Sequence, residues 1–351
     1  MTRISADRAG RVTVLYHAVS SYQLLEVLLH RLLLHPRDRA VLLLPDFIVC
    51  KYPQYRRLAR RRFFDEVRLF PYLRIPHGDE AQVTADAERA CRELLPLPLA
   101  AFSDVYVAGA HFYFSLCLIR QGVPFYFFED AAGMLSRAEA LYRGLHKTYP
   151  LHADIARRHG LFDGSAPGVR GIYCLKRAQS IDVSGPLYRD FAVEEALEAL
   201  PPRRRRALTR LFLRRRIRTG AQAVLLTQHL ANLGIVSPAQ QRALYEGLRD
   251  GPLRGIPLVV KPHPDDTLDY AALFPDADVL RTPFPSELLP YVFHKKPPEL
   301  YTFSSTGAEN LRRHFIIHQF GRDPYAVSPR FDPGQLGLSA PDRRPPAPGA
   351  P

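Results

Sequence analysis

Residues 11–44 read RVTVLYHAVSSYQLLEVLLHRLLLHPRDRAVLLL, and this stretch decides the fold class. The apolar runs at residues 11–16 and 39–44 predict two strands, and residues 22–34 between them predict an amphipathic helix. That helix carries three polar side chains at helical spacing: Glu26, His30 and Arg31. A strand, a helix and a second apolar strand predict a βαβ unit in a parallel sheet covered by helices on both faces.

The same alternation continues along the chain and then restarts. Further strands are predicted at residues 67–72, 104–108 and 124–128, and a second series at residues 223–226, 257–260, 277–280 and 299–303. Helices are predicted between them at residues 55–64, 82–94, 112–120, 238–249, 286–292 and 308–313. This pattern predicts an α/β chain with two Rossmann-like, doubly wound domains and a ligand in the cleft between them, outside the carboxyl ends of the strands.

The pattern divides the chain into four parts. We predict an N-terminal Rossmann-like domain with a helical extension over residues 1–185 and a basic helical linker over residues 186–222. A C-terminal Rossmann-like domain follows over residues 223–321. The Pro-rich residues 322–351 predict a disordered tail, because they cannot bury enough apolar surface to fold.

The charge of the chain predicts an anionic partner. Lys and Arg number 48 against 35 Asp and Glu, which gives a net charge of +13, although an arginine-rich composition also follows from a GC-rich genome. The excess is densest from Arg203 to Arg218, where Leu208, Leu211 and Phe212 line one face of a predicted helix. We expect this segment to contact an anionic membrane or an acidic polymer. Nucleic acid is not expected, because no aromatic residues are interleaved with the arginines.

The start of the chain predicts a cytoplasmic location. Residues 1–10 lack the apolar stretch of a signal peptide, and no apolar run is long and uncharged enough to cross a bilayer. Contact with anionic lipid through the basic segment would place the protein at the inner face of the plasma membrane.

Acidic residues follow the strand predicted at residues 124–128. Glu129 and Asp130 stand in the string FFEDAAG, where a parallel sheet presents its ligand. Because side chains alternate along a strand, the two carboxylates are not expected to point into one site. One would serve as a general base and the other would brace the loop.

Two further motifs follow predicted strands of the second series. In KPHPDD, Lys261 adds positive charge beside His263, whose backbone is restricted by the flanking prolines, including Pro264; this arrangement fixes an imidazole near an anion. In FSSTGAEN, hydroxyls and free backbone N–H groups at a helix N-terminus predict an anion site. The hydroxyl residues are Ser304, Ser305 and Thr306. The alternative for the last motif is a capping box, with Thr306 as N-cap and Glu309 three residues later.

The three motifs in this order resemble the bacterial GT-B sialyltransferases and polysialyltransferases of capsule and lipooligosaccharide synthesis. In that family an acidic pair before glycine, a His-Pro pair and a paired serine/threonine motif mark the active site. The match is FFEDAAG, KPHP and FSSTG. One departure is Ala131, which stands where the family has glycine, so the choice between Glu129 and Asp130 as base stays open.

The resemblance implies a role for each matching residue. Asp130 would deprotonate the acceptor hydroxyl, and His263 would bind the CMP phosphate and stabilise the leaving group. Ser304 and Ser305 would hold the phosphate or the sugar carboxylate, and Glu287 would lie near the nucleotide ribose on a helix of the second domain. The first domain would then be the acceptor side and the second the nucleotide-sugar side.

The resulting hypothesis is an inverting, metal-independent glycosyltransferase without a cofactor. It would move a sialic acid-type sugar from CMP-sialic acid, or a related CMP-sugar, to a glycan acceptor, for which the positive charge of the chain predicts an anionic character. A base aligned with the acceptor and polar groups around the phosphate suffice, since CMP is already a good leaving group.

Other hypotheses stay open at this point. The nearest is another CMP-linked polymer transferase, such as a glycerophosphotransferase-like enzyme. A zinc-dependent sugar N-deacetylase is suggested by the string PHPDD, although Thr267 stands where that family has glutamate. A nucleic-acid-binding protein is suggested by the charge alone.

Overall fold

The structure is a computed structural model that describes residues 11–58, 63–76 and 78–321. The predicted start of the chain at residues 1–10 and the predicted tail at residues 322–351 lie outside the described residues. The described residues form two compact units, one comprising those up to residue 215 together with residues 284–292, and the other covering residues 216–283 and 293–321.

The first unit is built on a seven-stranded parallel sheet of order β3-β2-β1-β4-β5-β6-β7. Its strands are β1 Thr13–His17, β2 Arg39–Pro45, β3 Glu66–Phe70, β4 Asp104–Ala108, β5 Phe125–Phe128, β6 Val169–Cys174 and β7 Tyr188–Asp190. The central strands β1, β2 and β4 are almost wholly buried, as expected where helices cover both faces of a parallel sheet.

The helices of this unit follow the strands in turn. They are α1 Ser21–Leu34, α2 Asp46–Lys51, α3 Glu80–Leu94, α4 Phe114–Arg120, α5 Ala138–His146, α6 Pro150–Arg158, α7 Val193–Ala199, α8 Pro202–Phe212 and α11 Leu289–Val292. Short 3-10 helices lie at Pro53–Arg57, Tyr72–Arg74, Leu99–Ala101, Met134–Arg137, Lys176–Ala178 and Ser286–Leu288.

The second unit is built on a five-stranded parallel sheet of order β10-β9-β8-β11-β12. Its strands are β8 Ala223–Leu226, β9 Leu258–Lys261, β10 Asp278–Val279, β11 Glu299–Thr302 and β12 Ile316–Gln319. Its helices are α9 Pro238–Asp250 and α10 Tyr270–Leu273, with a 3-10 helix at Thr306–Leu311. Two parallel α/β sheets confirm the predicted fold class of two Rossmann-like domains.

Helix α1 differs from its prediction in one respect. Glu26 is 2% exposed, His30 0% and Arg31 8%, so the side that we predicted to be polar and solvated is buried. Helix α7 packs against α1 and covers it. Sequence periodicity could not predict this, because α7 lies more than 150 residues later in the chain.

The sequence also missed elements in the middle of the chain. Strands β6 and β7 lie in a region that we predicted to be helical, whereas α7 and α8 are helices within the segment predicted as a basic helical linker. Within the helix predicted at residues 55–64, the structure shows the end of a 3-10 helix, Pro53–Arg57, and α-helical structure at Leu58, while residues 59–62 lie outside the described residues. Strands β6 and β7 are short or glycine-containing, which weakens their sequence signal.

Candidate functional site

Glu129 lies at the carboxyl end of β5 and braces the loop that follows. It is 1% exposed, and its carboxylate accepts hydrogen bonds from the backbone N–H of Leu175 at 2.7 Å and from Gln179 Nε2 at 2.8 Å. Leu175 follows β6, the next strand of the sheet, so Glu129 joins two strand ends. Burial raises the pKa of Glu129 to about 7, and the donated hydrogen bonds act against that rise.

The glycine of this motif has a steric role at its observed position. Gly133 has a φ of 80°, and a Cβ there would lie 2.9 Å from the carbonyl oxygen of Ala178. The loop from Glu129 to Gly133 therefore packs closely on the 3-10 helix Lys176–Ala178. The shift of the glycine by two residues leaves Ala131 and Ala132 inside a turn that closes with a Met134 N–H to Ala131 O bond of 2.9 Å.

Asp130 has a different environment from its neighbour. It is partly exposed, and its Oδ1 accepts a hydrogen bond of 2.5 Å from Gln23 Nε2 in the first turn of α1. Gln23 Oε1 accepts from the backbone N–H groups of Val19 at 2.9 Å and Ser20 at 3.1 Å. Because the amide oxygen is used in this way, the amide nitrogen of Gln23 is oriented toward Asp130.

Local packing positions the Asp130 carboxylate, and burial changes its pKa. Gly109, directly after β4, has a φ of 79°, and a Cβ there would come within 2.3 Å of Val19 Cγ2, so glycine lets β4 approach the start of α1. Burial raises the pKa of Asp130 to about 6, and the hydrogen bond from Gln23 lowers it toward its ordinary value. Asp130 is thus mostly ionised at neutral pH and can still accept a proton there, as a general base requires.

Two further carboxylates lie near this edge of the first unit. Glu26, on α1, has a pKa well above its ordinary value, first because of burial and then because of the charges of Glu129, Asp130 and Glu287. Its Oε2 has no hydrogen-bond partner among the described residues. Glu287, predicted to bind the ribose on a helix of the second domain, is 4% exposed in the 3-10 helix Ser286–Leu288, within the segment that belongs to the first unit.

The KPHP motif lies at the carboxyl end of β9 in the second unit. Lys261 is the last residue of β9 and is 7% exposed, whereas His263 and Pro264 are partly exposed in the loop. The backbone N–H of His263 donates to Thr227 Oγ1 at 3.1 Å, which ties the motif to the end of the adjacent strand β8. Asp265 N donates to His263 Nδ1 at 3.2 Å, so the proton of the neutral ring lies on Nε2.

The FSSTG motif adopts a structure that corrects two expectations. Ser304 is 5% exposed, and its N–H and Oγ donate to Gln228 Oε1 at 2.7 and 3.2 Å, while Ser305 N donates to Thr302 Oγ1 at 3.1 Å. We had expected free backbone N–H groups here, but both of these amides donate within the protein and are not available to an anion. The predicted capping box is also wrong, because Ser305 rather than Thr306 is the N-cap residue of a 3-10 helix and makes no side-chain cap hydrogen bond. Glu309 instead pairs with Arg312.

Three residues of these edges escaped the sequence analysis. Gln23 holds Asp130, Gln228 holds Ser304, and His229 stacks on His263 with ring centroids 3.7 Å apart and planes 13° apart. Gln228 and His229 lie two and three residues after the end of β8, so the strand-end argument used for the other motifs would have found them. Within the described ranges, His229, His263 and Asp265 also bring potential metal-ligand atoms within 4.8 Å of one another.

The arginine-rich helix is shorter and more deeply packed than predicted. Helix α8 ends at Phe212, and the apolar side chains that were expected to face a membrane are buried: Leu208 at 0% exposure, Leu211 at 0% and Phe212 at 1%. The exposed side chains of this segment within the first unit are arginines, namely Arg203, Arg204, Arg206, Arg210, Arg214 and Arg215. The exposed face of this segment therefore offers positive charges, and not apolar side chains, to a binding partner. None of the described helices combines the length and apolarity that a membrane span needs.

Comparisons with known proteins support the fold. The chain is similar to the UDP-N-acetylglucosamine 2-epimerase of Rickettsia bellii, with 13% identity and a TM-score of 0.50 over 88% of this chain and 79% of that one. It is also similar to Arabidopsis thaliana UGT89C1 complexed with UDP-L-rhamnose, with 12% identity and a TM-score of 0.52 over 90% of this chain and 81% of that one. No protein-family model and no curated protein matches the sequence. The chain thus has a fold of two Rossmann-like domains, which also occurs in an epimerase, so its reaction must be argued from its site.

Proposed function

We propose that the chain is an inverting, metal-independent glycosyltransferase that moves a sialic acid-type sugar from a CMP-sugar to a glycan hydroxyl. Asp130 is the general base that takes the proton of the acceptor hydroxyl. His263 binds the phosphate of the nucleotide and stabilises it as it leaves.

The observation that carries this proposal is the division between two adjacent acids. The Glu129 carboxylate accepts hydrogen bonds from the backbone N–H of Leu175 and from Gln179. Asp130, in contrast, is partly exposed and accepts a hydrogen bond from the amide of Gln23. A base needs a fixed position, contact with solvent or substrate and a pKa near the working pH. Asp130 meets these three requirements, with a pKa raised to about 6.

The residues at the carboxyl edge of the second sheet support the proposed binding of the nucleotide phosphate. The neutral His263 ring carries its proton on Nε2, which makes that atom a hydrogen-bond donor, and Lys261 brings a cation to the same strand end. Ser305 and Thr306 contribute partly exposed hydroxyls, while Ser304 supports the loop from beneath. Donors of this kind stabilise charge that develops on a leaving phosphate without a metal or a cofactor.

The donor is assigned by the motif resemblance, and the acceptor by charge. FFEDAAG, KPHP and FSSTG favour CMP-sialic acid, whereas UGT89C1 was solved with UDP-L-rhamnose, so both classes of nucleotide belong in the test. The exposed arginines of α8 favour an anionic glycan or the anionic lipid surface at the inner face of the plasma membrane. In this proposal the enzyme works in the cytoplasm.

The test is release of CMP from CMP-sialic acid by the purified chain, in EDTA, with and without a sialylated oligosaccharide. UDP-N-acetylglucosamine and UDP-glucose run beside it as donors. Acceptor-dependent CMP release with a new glycosidic product supports the proposal. Turnover of only the UDP-sugars, or release of acetate that EDTA abolishes, would replace it with a UDP-dependent enzyme or with the zinc deacetylase.

A further inference from the structure

Two histidines meet at the carboxyl ends of neighbouring strands in the second unit. Strands β8 and β9 pair in parallel, and their last residues, Leu226 and Lys261, are register partners. His229 follows β8 by three residues and His263 follows β9 by two. Their rings stack with centroids 3.7 Å apart, closer than the 4.5–7 Å usual for aromatic pairs.

The backbone holds this pair in place. Thr227 is 4% exposed and accepts from the N–H of His263, and the N–H of Gln228 donates to Tyr245 Oη at 2.7 Å. The loops that carry the two rings are therefore fixed at residues adjacent to each ring. Because the backbone beside both rings is already fixed, little further conformational entropy is lost when the pair binds a ligand.

The charges around the pair favour an anion. Each imidazole carries at least one N–H group, and N–H donors on two neighbouring rings can bind oxygen atoms of the same anion. Lys261 places a cation two residues before His263, and Asp265 contributes the carboxylate of the cluster, with Oδ2 4.0 Å from His263 Nδ1. The phosphate of a nucleoside monophosphate carries up to about two negative charges near neutral pH, and its oxygen atoms accept such hydrogen bonds.

We infer that His229 is a second phosphate-binding residue, and that it and His263 together bind the phosphate that leaves as nucleoside monophosphate. The identity of that leaving group rests on the proposed function, but phosphate binding by the pair does not.

The transfer step gives the pair a defined task. The acceptor oxygen forms a bond to the anomeric carbon as the bond from that carbon to the phosphate oxygen breaks. The electron pair of the broken bond stays on the phosphate oxygen, and the acceptor proton goes to Asp130. The phosphate thereby gains one negative charge, which N–H donors from both rings stabilise, so the rings bind the product-like state more tightly than the donor.

The experiment follows both rings of the full chain in EDTA by histidine Cε1–H NMR, with the signals assigned from His229→Asn and His263→Asn. Spectra are recorded at one pH without ligand, with CMP and with inorganic phosphate. We expect CMP and inorganic phosphate to shift the Cε1–H signals of both rings, and His229→Asn to weaken CMP binding about tenfold. His294→Asn, an exposed histidine of the same unit, is the matched control and is expected to bind CMP like the wild type.

Each outcome separates this inference from the proposed function. If CMP shifts both rings but CMP-sialic acid is not turned over, the phosphate pair stands and the proposed donor is wrong. If transfer is intact and the His229 ring does not respond to CMP, the inference is wrong and the proposed function stands. If CMP affects neither ring in EDTA but does so once Zn²⁺ is added, a metal site of His229, His263 and Asp265 replaces the inference.

Discussion

At the carboxyl edge of the first sheet the characteristic side chains are acids, whereas at the same edge of the second sheet they are imidazoles, hydroxyls and an amine. Glu26, Glu129 and Asp130 have raised pKa values because burial disfavours their charged forms. At the second edge, His229 and His263 stack while Gln228 supports Ser304. One fold unit, used twice in a chain, thus presents carboxyl groups at one sheet and imidazoles, hydroxyls and an amine at the other. The contrast lies in the loops rather than in the sheets.

The largest expected effect comes from removing the base at the first edge. Asp130→Asn keeps the shape and removes the proton acceptor, so transfer should fall by about 10²–10⁴-fold. The measurement is the single-turnover rate with saturating CMP-sialic acid. A rate within tenfold of the wild type would exclude Asp130 as the base.

Glu129→Gln is the matched control at the neighbouring position. Since its carboxylate braces a loop, we expect transfer to fall by less than about tenfold while stability changes. The folded-state pKa of Glu129, about 7, lies above its ordinary value of 4.5, so the folded protein binds a proton that the unfolded chain releases between these values. Stability therefore falls as the pH rises through this window, and Glu129→Gln should lessen that fall in urea denaturation at pH 5 and pH 7.5.

The next largest effect is expected at the carboxyl edge of the second sheet, in the support of the Ser304 loop. Gln228→Leu leaves the N–H and hydroxyl of Ser304 without their acceptor, so the loop should shift and the KM for the donor should rise about tenfold with a smaller change in kcat. Gln319→Leu, on the exposed face of β12, is the matched control. An unchanged KM in Gln228→Leu would show that the Ser304 loop does not bind the donor.

A smaller effect compares two helix starts of identical design. Helices α1 and α9 each begin with a serine capping box that has glutamine at the third position, Gln23 and Gln240, and Gln23 also donates to the carboxylate of Asp130. Gln23→Glu preserves the capping acceptors and turns the donor into a second acid facing Asp130, which raises the pKa of Asp130.

The pH profile of transfer tests this change. Since Asp130 must be ionised, wild-type activity should fall as the pH drops through about 6, and in Gln23→Glu this fall should begin about one pH unit higher. Gln240→Glu should leave the profile unchanged. Equal profiles for all three proteins would mean that Gln23 does not position the base.

The smallest effect concerns the arginines of α8. Replacing Arg203, Arg204 and Arg206 with Gln should weaken binding to polysialic acid or to vesicles with anionic lipid by about three- to tenfold at low salt. CMP affinity should not change, and the difference should vanish at high salt. Arg242, Arg254 and Arg281, exposed in the second unit, provide a control that removes the same number of charges. Equal losses in both variants would show that net charge rather than this segment attracts the polyanion.

The sequence predicts the sheets better than the loops. Strands β4 and β8 have the predicted bounds, because continuous buried apolar runs carry a strong signal. The burial of Glu26 was missed, because it depends on α7, which is remote in the chain, and the free amides expected at Ser304 are used by Gln228. In both cases a contact distant in sequence overrides what local spacing indicates.

The most direct test of the account measures CMP affinity and transfer rate side by side in the wild type, Asp130→Asn and His263→Asn, in EDTA. If the two sheet edges divide the work, Asp130→Asn binds CMP with wild-type affinity and does not transfer, whereas His263→Asn loses both affinity and transfer. Equal weakening of CMP binding in the two variants, or transfer by Asp130→Asn near the wild-type rate, would contradict the division between base and phosphate site.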